Sequence, residues 1–163
     1  MATTANGFIS GKKHYFNWVS KKSRANYLKQ VKKSGYVIIG RRTYDVMPRS
    51  EFLKDIHYVV FTNQKNLKKK SPLVRFTNQK PVSILKELKK EGAKEICICG
   101  GGKLNASFMK EKLIDEMYLD VEPFIFVKGI KLFEGENFEG KLKLLGIKKY
   151  SPNTIQLHYQ VLK

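Results

Sequence analysis

Two short apolar runs end in glycine and pass at once into helix-forming sequence, and this pairing restricts the fold more than any other feature of the chain. The first is Tyr36-Val37-Ile38-Ile39-Gly40, followed by Arg41-Arg42-Thr43. The second is Ile96-Cys97-Ile98-Cys99, followed by Gly100-Gly101-Gly102-Lys103-Leu104. Continuous apolar runs of this kind suit strands buried on both faces, as in a parallel sheet. A helix that starts directly after such a strand carries free backbone N–H groups and partial positive charge to the strand's carboxyl end. That is where ligands of open α/β sheets bind.

The rest of the chain alternates in the same way. Strands are expected at 36–39, 57–62, 95–99 and 117–121, with a strand and turn over 2–9 marked by Asn6-Gly7. A further short strand is expected around Arg75-Phe76. Helices are expected at 20–33, capped by Ser20 and closed by Gly35, and at 43–47, 82–90 and 104–111. The segments 142–145, 147–150 and 154–162 read as a closing antiparallel hairpin, because Thr154 to Val161 alternates along much of its length. The expected architecture is α/β: a three-layer sandwich on a mostly parallel central sheet with a C-terminal antiparallel hairpin. Its 163 residues fit one domain, 1–163.

No apolar run approaches the roughly 20 residues of a membrane span, and no signal-peptide layout opens the chain, so a cytoplasmic protein without membrane contact is expected. Cys97 and Cys99 share one face of their strand and read as buried, reduced thiols. The three histidines are scattered, and no zinc pattern emerges. No metal is expected. Lysine and arginine outnumber acidic residues 32 to 14, a net charge of +18. The cations are spread along the chain rather than concentrated with arginines and aromatics, so a solvated basic surface is expected rather than a nucleic-acid site.

The two glycine junctions carry the chemical signal. Gly40-Arg41-Arg42-Thr43 joins a helix N-terminus to two guanidinium groups, a cradle suited to phosphate. Gly100-Gly101-Gly102 lets a ligand approach the backbone closely. Neither is a G-x-G-x-x-G fingerprint or a P-loop.

In order and spacing these stretches resemble the dihydrofolate reductase superfamily, which includes the riboflavin-pathway reductase domains. The resemblance also takes in residues 2–9, Trp18 and the helix after it, the strand end Val60-Phe61-Thr62-Asn63, residues 113–123 and 129–133. It implies NADPH as hydride donor. Gly40, Arg41, Arg42 and Thr43 would hold the pyrophosphate and adenosine side, and Thr62 and Asn63 the 2′-phosphate. Gly100, Gly101 and Gly102 would pass under the nicotinamide, with a cis peptide between the first two, and Lys103 and Leu104 would continue that contact. The backbones of Ala2 and Ile9 would hold the carboxamide. Trp18, Tyr27, Leu28, Met47 and Leu53, with Phe52, would wall the substrate pocket.

The chain departs from the dihydrofolate pattern in two places. The carboxylate usual in the first long helix falls at Ser23, or one residue on at Arg24. On the later strand, Tyr118, Asp120 and Glu122 share one face, and Asp120 stands where the family faces the substrate. The expectation is that the acid has moved to Asp120, with Ser23 as its partner; an exposed charged strand face is the alternative. The arginine that grips the folate tail becomes Ile56.

The function expected is NADPH-dependent reduction of 7,8-dihydrofolate to tetrahydrofolate with an atypical proton relay. A riboflavin-pathway-like reductase of a ribosylaminopyrimidine phosphate stands beside it: residues 113–123 and 129–133 look like that branch, but its Asp-Pro-x-Leu-Thr-x-Arg-like segment is missing at Tyr44 to Arg49, as is the zinc deaminase half. A non-catalytic nucleotide or nucleic-acid binder is the third reading. The partner expected is a small pterin or pyrimidine, with monomer or homodimer left open.

Overall fold

The structure is a computed structural model and describes residues 1–11 and 17–163. Its elements run in the alternation the sequence suggests. Strands β1 (Ala2–Thr4) and β2 (Phe8–Gly11) precede helix α1 (Lys21–Ser34). Then come β3 (Tyr36–Gly40), α2 (Arg41–Val46), a 3-10 turn (Arg49–Glu51), β4 (His57–Phe61), β5 (Val74–Thr77) and α3 (Pro81–Lys90). The second half holds β6 (Cys97–Ile98), α4 (Gly102–Lys110), β7 (Glu116–Glu122), β8 (Gly129–Lys131), β9 (Lys141–Lys149) and β10 (Ile155–Leu162).

The central sheet is divided. One four-stranded sheet, in the order β5-β4-β3-β6, is parallel throughout. The other, β1-β7-β10-β9, starts with a parallel β1–β7 pair and continues antiparallel. The expected closing hairpin is therefore present as β9–β10, with a bulge at His158/Tyr159. A two-stranded ribbon, β2–β8, was not expected; its approach is so close that a Cβ on Gly129 would lie 2.1 Å from the Ser10 carbonyl oxygen. The strand expected at 95–99 is shorter, only Cys97–Ile98.

Helix α1 starts where Ser20 accepts a hydrogen bond from the Ser23 backbone and ends at Gly35, whose φ of 70° takes the left-handed cap. Ser23, Tyr27, Val31 and Ser34 fall on one helical stripe, which is the face turned inward. Two clusters flank the parallel sheet. Val37, Ile39, Tyr44, Phe52, Tyr58 and Val60 pack on the α1 side. Ile38, Val59, Ile84, Leu88, Leu104 and Phe108 pack under α3 and α4. No helix of the described residues is long and apolar enough to cross a membrane.

Candidate active site

The two glycine junctions meet. The Gly40 N–H donates to the Gly100 carbonyl at 2.7 Å, so the ends of β3 and β6 are joined just before α2 and α4 begin. The Gly100–Gly101 peptide is cis, as the resemblance implied. The three glycines serve different ends. Gly100 has φ of +86°, a conformation side chains resist. A Cβ on Gly102 would lie 2.3 Å from the Lys131 carbonyl oxygen, so here the close approach is made by the protein's own chain. Of the three, Gly101 alone has room for a Cβ without strain: the nearest atom is Thr43 Oγ1 at 3.8 Å, an ordinary contact. Ile9 lies beside Gly100, its Cδ1 3.8 Å from where a Cβ would stand.

Around this junction the remaining residues expected to hold a cofactor separate. Parallel pairing of Gly40 with Phe61 sets Thr62 and Asn63 next to Arg41, and Arg41 hydrogen-bonds Gln64 and pairs with Asp45 at 2.7 Å. Thr62 closes its own turn by accepting from the Gln64 amide. Arg42 and Lys103 are exposed, the latter with its stem against Gly135. Leu104 turns its side chain into the core beneath the sheet, with its Cβ 3.9 Å from where a Cβ on Gly40 would stand.

A second group forms between α1 and β7. Ala2 pairs with Asp120 in the β1–β7 ladder. Asp120 is 2% exposed, and its two carboxylate oxygens accept from Ser23 Oγ at 2.5 Å and from Gln156 Nε2 at 2.7 Å. The exposed-strand alternative for this residue is thereby removed. Two residues on, Glu122 is 1% exposed and accepts from the Ser20 backbone N–H and from Thr154 Oγ1, both at 3.0 Å. This carboxylate fastens the start of α1 to the sheet. Among the described residues Tyr150 Oη is enclosed without a partner in hydrogen-bond geometry; burial, and then the negative charge of Asp120, push its phenol up to about 12, against a smaller opposing effect of Gln156.

Sequence reasoning overlooked Gln156, Thr154 and Tyr150. The signal was the alternation Thr154, Gln156, His158, which the antiparallel register sets beside Glu122, Asp120 and Tyr118. His158 stacks on Tyr118, ring centroids 4.1 Å apart, and pairs with Glu116 at 2.8 Å.

The expected pocket wall is only partly assembled. Tyr27, Met47 and Leu53 pack against one cluster, with Phe52 inside it. Trp18 is 6% exposed and packs edge-on against Phe124 and Phe126, outside the cluster that holds Tyr27, Met47 and Leu53. Leu28 is half-buried on α1. The two cysteines are free and half-buried rather than buried. A hydrogen bond from Cys99 lowers the Cys97 thiol to about 6, and the same contact together with burial raises Cys99. Burial raises Tyr27 well above the usual phenol range, with Cys99 adding to it. Among the described residues no group of three His, Cys, Asp or Glu is placed to hold a metal.

The family model for the RibD C-terminal domain matches residues 1–156. An uncharacterized protein of Bacillus subtilis, YwjB, is 36% identical over 126 residues, covering 76% of this chain and 71% of that protein. A putative riboflavin biosynthesis protein from Shewanella has the same fold with a TM-score of 0.85 at 21% identity, covering 100% of this chain and 97% of that one. A Thermotoga maritima diaminohydroxyphosphoribosylaminopyrimidine deaminase/5-amino-6-(5-phosphoribosylamino)uracil reductase matches with a TM-score of 0.77 at 17% identity, over 99% of this chain and 55% of that one. The match extends over nearly all of the sequence, and the chain belongs to the RibD C-terminal domain family, within the dihydrofolate reductase-like superfamily.

Proposed function

We propose that this protein is an NADPH-dependent reductase of a small nitrogen heterocycle of the ribosylaminopyrimidine phosphate type. The observation that carries the reading is the buried Asp120–Ser23 pair, whose strand β7 lines one cavity together with β6, the strand that leads into the glycine junction. Dihydrofolate, the substrate expected from the sequence, loses its support. The family match falls on the riboflavin-pathway branch. Ile56, at the position of the folate-tail arginine, is 3% exposed and part of the core.

The residues present fit a dinucleotide. Gly101 carries no side chain beside Thr43 at the junction, which leaves its backbone approachable by a ligand. Gly40, Thr43, Arg42 and the first N–H groups of α2 and α4 would hold the phosphates, and Thr62 and Asn63 the ribose phosphate. NADPH supplies a hydride when bound. The chain's own part is to orient the acceptor and supply a proton. Asp120 holds the Ser23 hydroxyl by its proton, which leaves the Ser23 lone pairs to accept from water or substrate. A water donating one proton to Ser23 Oγ as a hydrogen bond would give its other proton to the reduced nitrogen or oxygen, the hydroxide left being reprotonated from solvent, with Asp120 behind Ser23 to orient it. Gln156 and Ala2 keep the carboxylate in place.

The test is NADPH oxidation, followed at its near-ultraviolet absorbance, with a ribosylaminopyrimidine phosphate and with dihydrofolate. Turnover of the first, reduced about 10²-fold or more in Asp120→Asn with NADPH binding retained, is the expected result. Unchanged turnover in Asp120→Asn overturns the role of the pair; turnover of dihydrofolate alone overturns the substrate class.

A further inference from the structure

A hydroxyl that the proposed chemistry leaves unused stands beside the Asp120 site. Tyr150 follows β9 and closes the turn into β10: its N–H donates to the Thr154 carbonyl at 2.8 Å. Thr154 Oγ1 in turn donates to Glu122. Two positions along, Lys148, Gln156 and Asp120 lie opposite one another across β9, β10 and β7. Tyr150 and Lys148, two residues apart, share a face, and Lys148 Nζ lies 5.8 Å from the Tyr150 ring centroid. Tyr150 Oη is enclosed, without a partner in hydrogen-bond geometry among the described residues.

Enclosed hydroxyls in folded proteins are almost always paired. Burial, and after it the charge of Asp120, hold this phenol at about 12, against a smaller opposing effect of Gln156. The phenol therefore keeps its proton through the physiological range and can donate. Of the two side chains that act on it, Asp120 already accepts from Ser23 on one oxygen and from Gln156 on the other. Gln156 is 8% exposed and spends its Nε2 on Asp120. Its Oε1, on the other arm of the same amide, is an acceptor turned away from the carboxylate. The orientation matters because an amide has nearly the same shape either way round. With its NH2 group toward Asp120 it donates to the carboxylate. Reversed, it sets a third oxygen against two that carry negative charge. A donor on Oε1 decides between the two.

We propose that Tyr150 is a positioning residue for the Asp120–Ser23 pair: its hydroxyl donates to Gln156 Oε1 and holds that amide with its NH2 group toward Asp120. The role rests on the reductase reading; the contact itself does not. In this role Tyr150 touches neither substrate nor cofactor. It acts through Gln156, which keeps Asp120 Oδ1 occupied and leaves Oδ2 to Ser23. The Ser23 lone pairs then stay free for water or substrate. Loss of the hydroxyl frees the amide to reverse, and the carboxylate turns from Ser23.

The test is a cycle of Tyr150→Phe and Gln156→Met, singly and together, read first by thermal melts. Tyr150→Phe keeps the ring beside Lys148 and removes one oxygen. Loss of a paired hydroxyl is expected to lower Tm by roughly 2–4 °C, and to lower it no further once Gln156 is replaced. Loss of an idle hydroxyl leaves Tm unchanged or raises it, since an enclosed polar group without a partner destabilises the fold. That result, or losses that simply add in the double variant, overturns the contact. The Gln156 carboxamide protons, assigned in NMR spectra by their disappearance in Gln156→Met, are expected to exchange with solvent about five- to tenfold faster in Tyr150→Phe; an unchanged rate also overturns it. The role in the pair is read by NADPH oxidation with the ribosylaminopyrimidine phosphate. Tyr150→Phe is expected to lower kcat about five- to tenfold with KM within about twofold of the parent, and to lower it no further in Asp120→Asn. A merely structural residue acts equally in both backgrounds, and that result, or a rise in KM alone, overturns the positioning role. Melts and carboxamide exchange need no turnover: a parent without activity overturns the reductase reading, while the cycle still upholds or overturns the contact.

Discussion

Replacing Gly101 and Gly102 one at a time by alanine separates a position kept open for a ligand from one closed by the protein itself. A Cβ at Gly102 lies 2.3 Å from the Lys131 carbonyl oxygen and 3.2 Å from Glu134 Cγ. An ordinary contact needs more than 1 Å of additional separation. The partner is backbone, and the Glu134 N–H bonds to the Gly102 carbonyl at 3.2 Å, so the segment cannot swing aside freely. Overpacking of this kind costs about 1–3 kcal/mol, and for a chain of 163 residues that lowers Tm by roughly 2–12 °C. At Gly101 the nearest atom is Thr43 Oγ1 at 3.8 Å, an ordinary contact, and φ is −76°. Gly101→Ala is therefore expected to melt within about 2 °C of the parent when no cofactor is present. Its added methyl would stand beside Thr43, where the proposed cofactor would approach the backbone. NADPH at a hundredfold over its Kd stabilises a protein by about 2.7 kcal/mol, and that increment should fall by at least half in Gly101→Ala. Thermal melts with and without NADPH read both effects. A full NADPH shift in Gly101→Ala, or a parental melt for Gly102→Ala, refutes the division of roles between the two glycines.

Cys97→Ser and Cys99→Ser test the thiol pair. Because Cys97 is lowered to about 6 by the hydrogen bond from Cys99, its thiolate forms as pH rises through that value. Alkylation at Cys97 should reach most of its limiting rate by neutral pH. Cys99→Ser retains a donor and should keep the behaviour, whereas Cys99→Ala should move the labelling midpoint upward; a midpoint near 9 in the parent protein refutes the contact. Lys70→Met tests the closure of α2. Lys70 Nζ donates to the carbonyls of Tyr44, Asp45 and Met47 at 2.6–2.9 Å and lies 4.9 Å from the Tyr44 ring centroid. Loss of this cation from the helix C-terminus should cost about 1–2 kcal/mol, seen as a lower denaturant midpoint with the slope unchanged; an unchanged midpoint refutes it.

Lys70 also marks where sequence reading reached its limit. In the run Lys68-Lys69-Lys70 all three cations read as solvated, yet one is spent on carbonyls that only the folded chain brings within reach. The strand ends were legible, because a continuous apolar run followed by glycine and a helix has few other ways to fold. The bond between Gly40 and Gly100 was not, since it joins residues about sixty positions apart through β3–β6 pairing. Gly102 shows the same limit in a different form. A run of three glycines signals close approach, but whether ligand or protein makes that approach depends on β8, too short and too exposed to register as a strand. The partners of the residues expected to wall the pocket were illegible for a related reason. Trp18 is apolar and near α1 in sequence, but its partners Phe124 and Phe126 come from the loop after β7.

Asp120 and Ser23 offer a sharper trial of the idea that an acid has changed places. The Asp120 carboxylate sits on the strand, the serine on the helix, and 2.5 Å separates their oxygens. Ser23→Asp alone would set a second carboxylate against one that is 2% exposed. Like charges at that distance, shielded from water, force one group to take up a proton and raise its pKa in the folded state. A folded-state pKa above the unfolded one costs stability as pH rises through the unfolded value, so this variant should be most stable in acid and lose several kcal/mol by neutral pH. Adding Asp120→Ser returns the pair to one carboxylate and one hydroxyl with the positions exchanged. The double variant should regain most of the neutral-pH stability, leaving only the change in the Gln156 contact at 2.7 Å. If reduction follows the carboxylate rather than the strand, it should also recover more NADPH-dependent turnover than Asp120→Ser alone. Two single losses that simply add, with no recovery in the double variant, would mean that the two residues do not act as one unit.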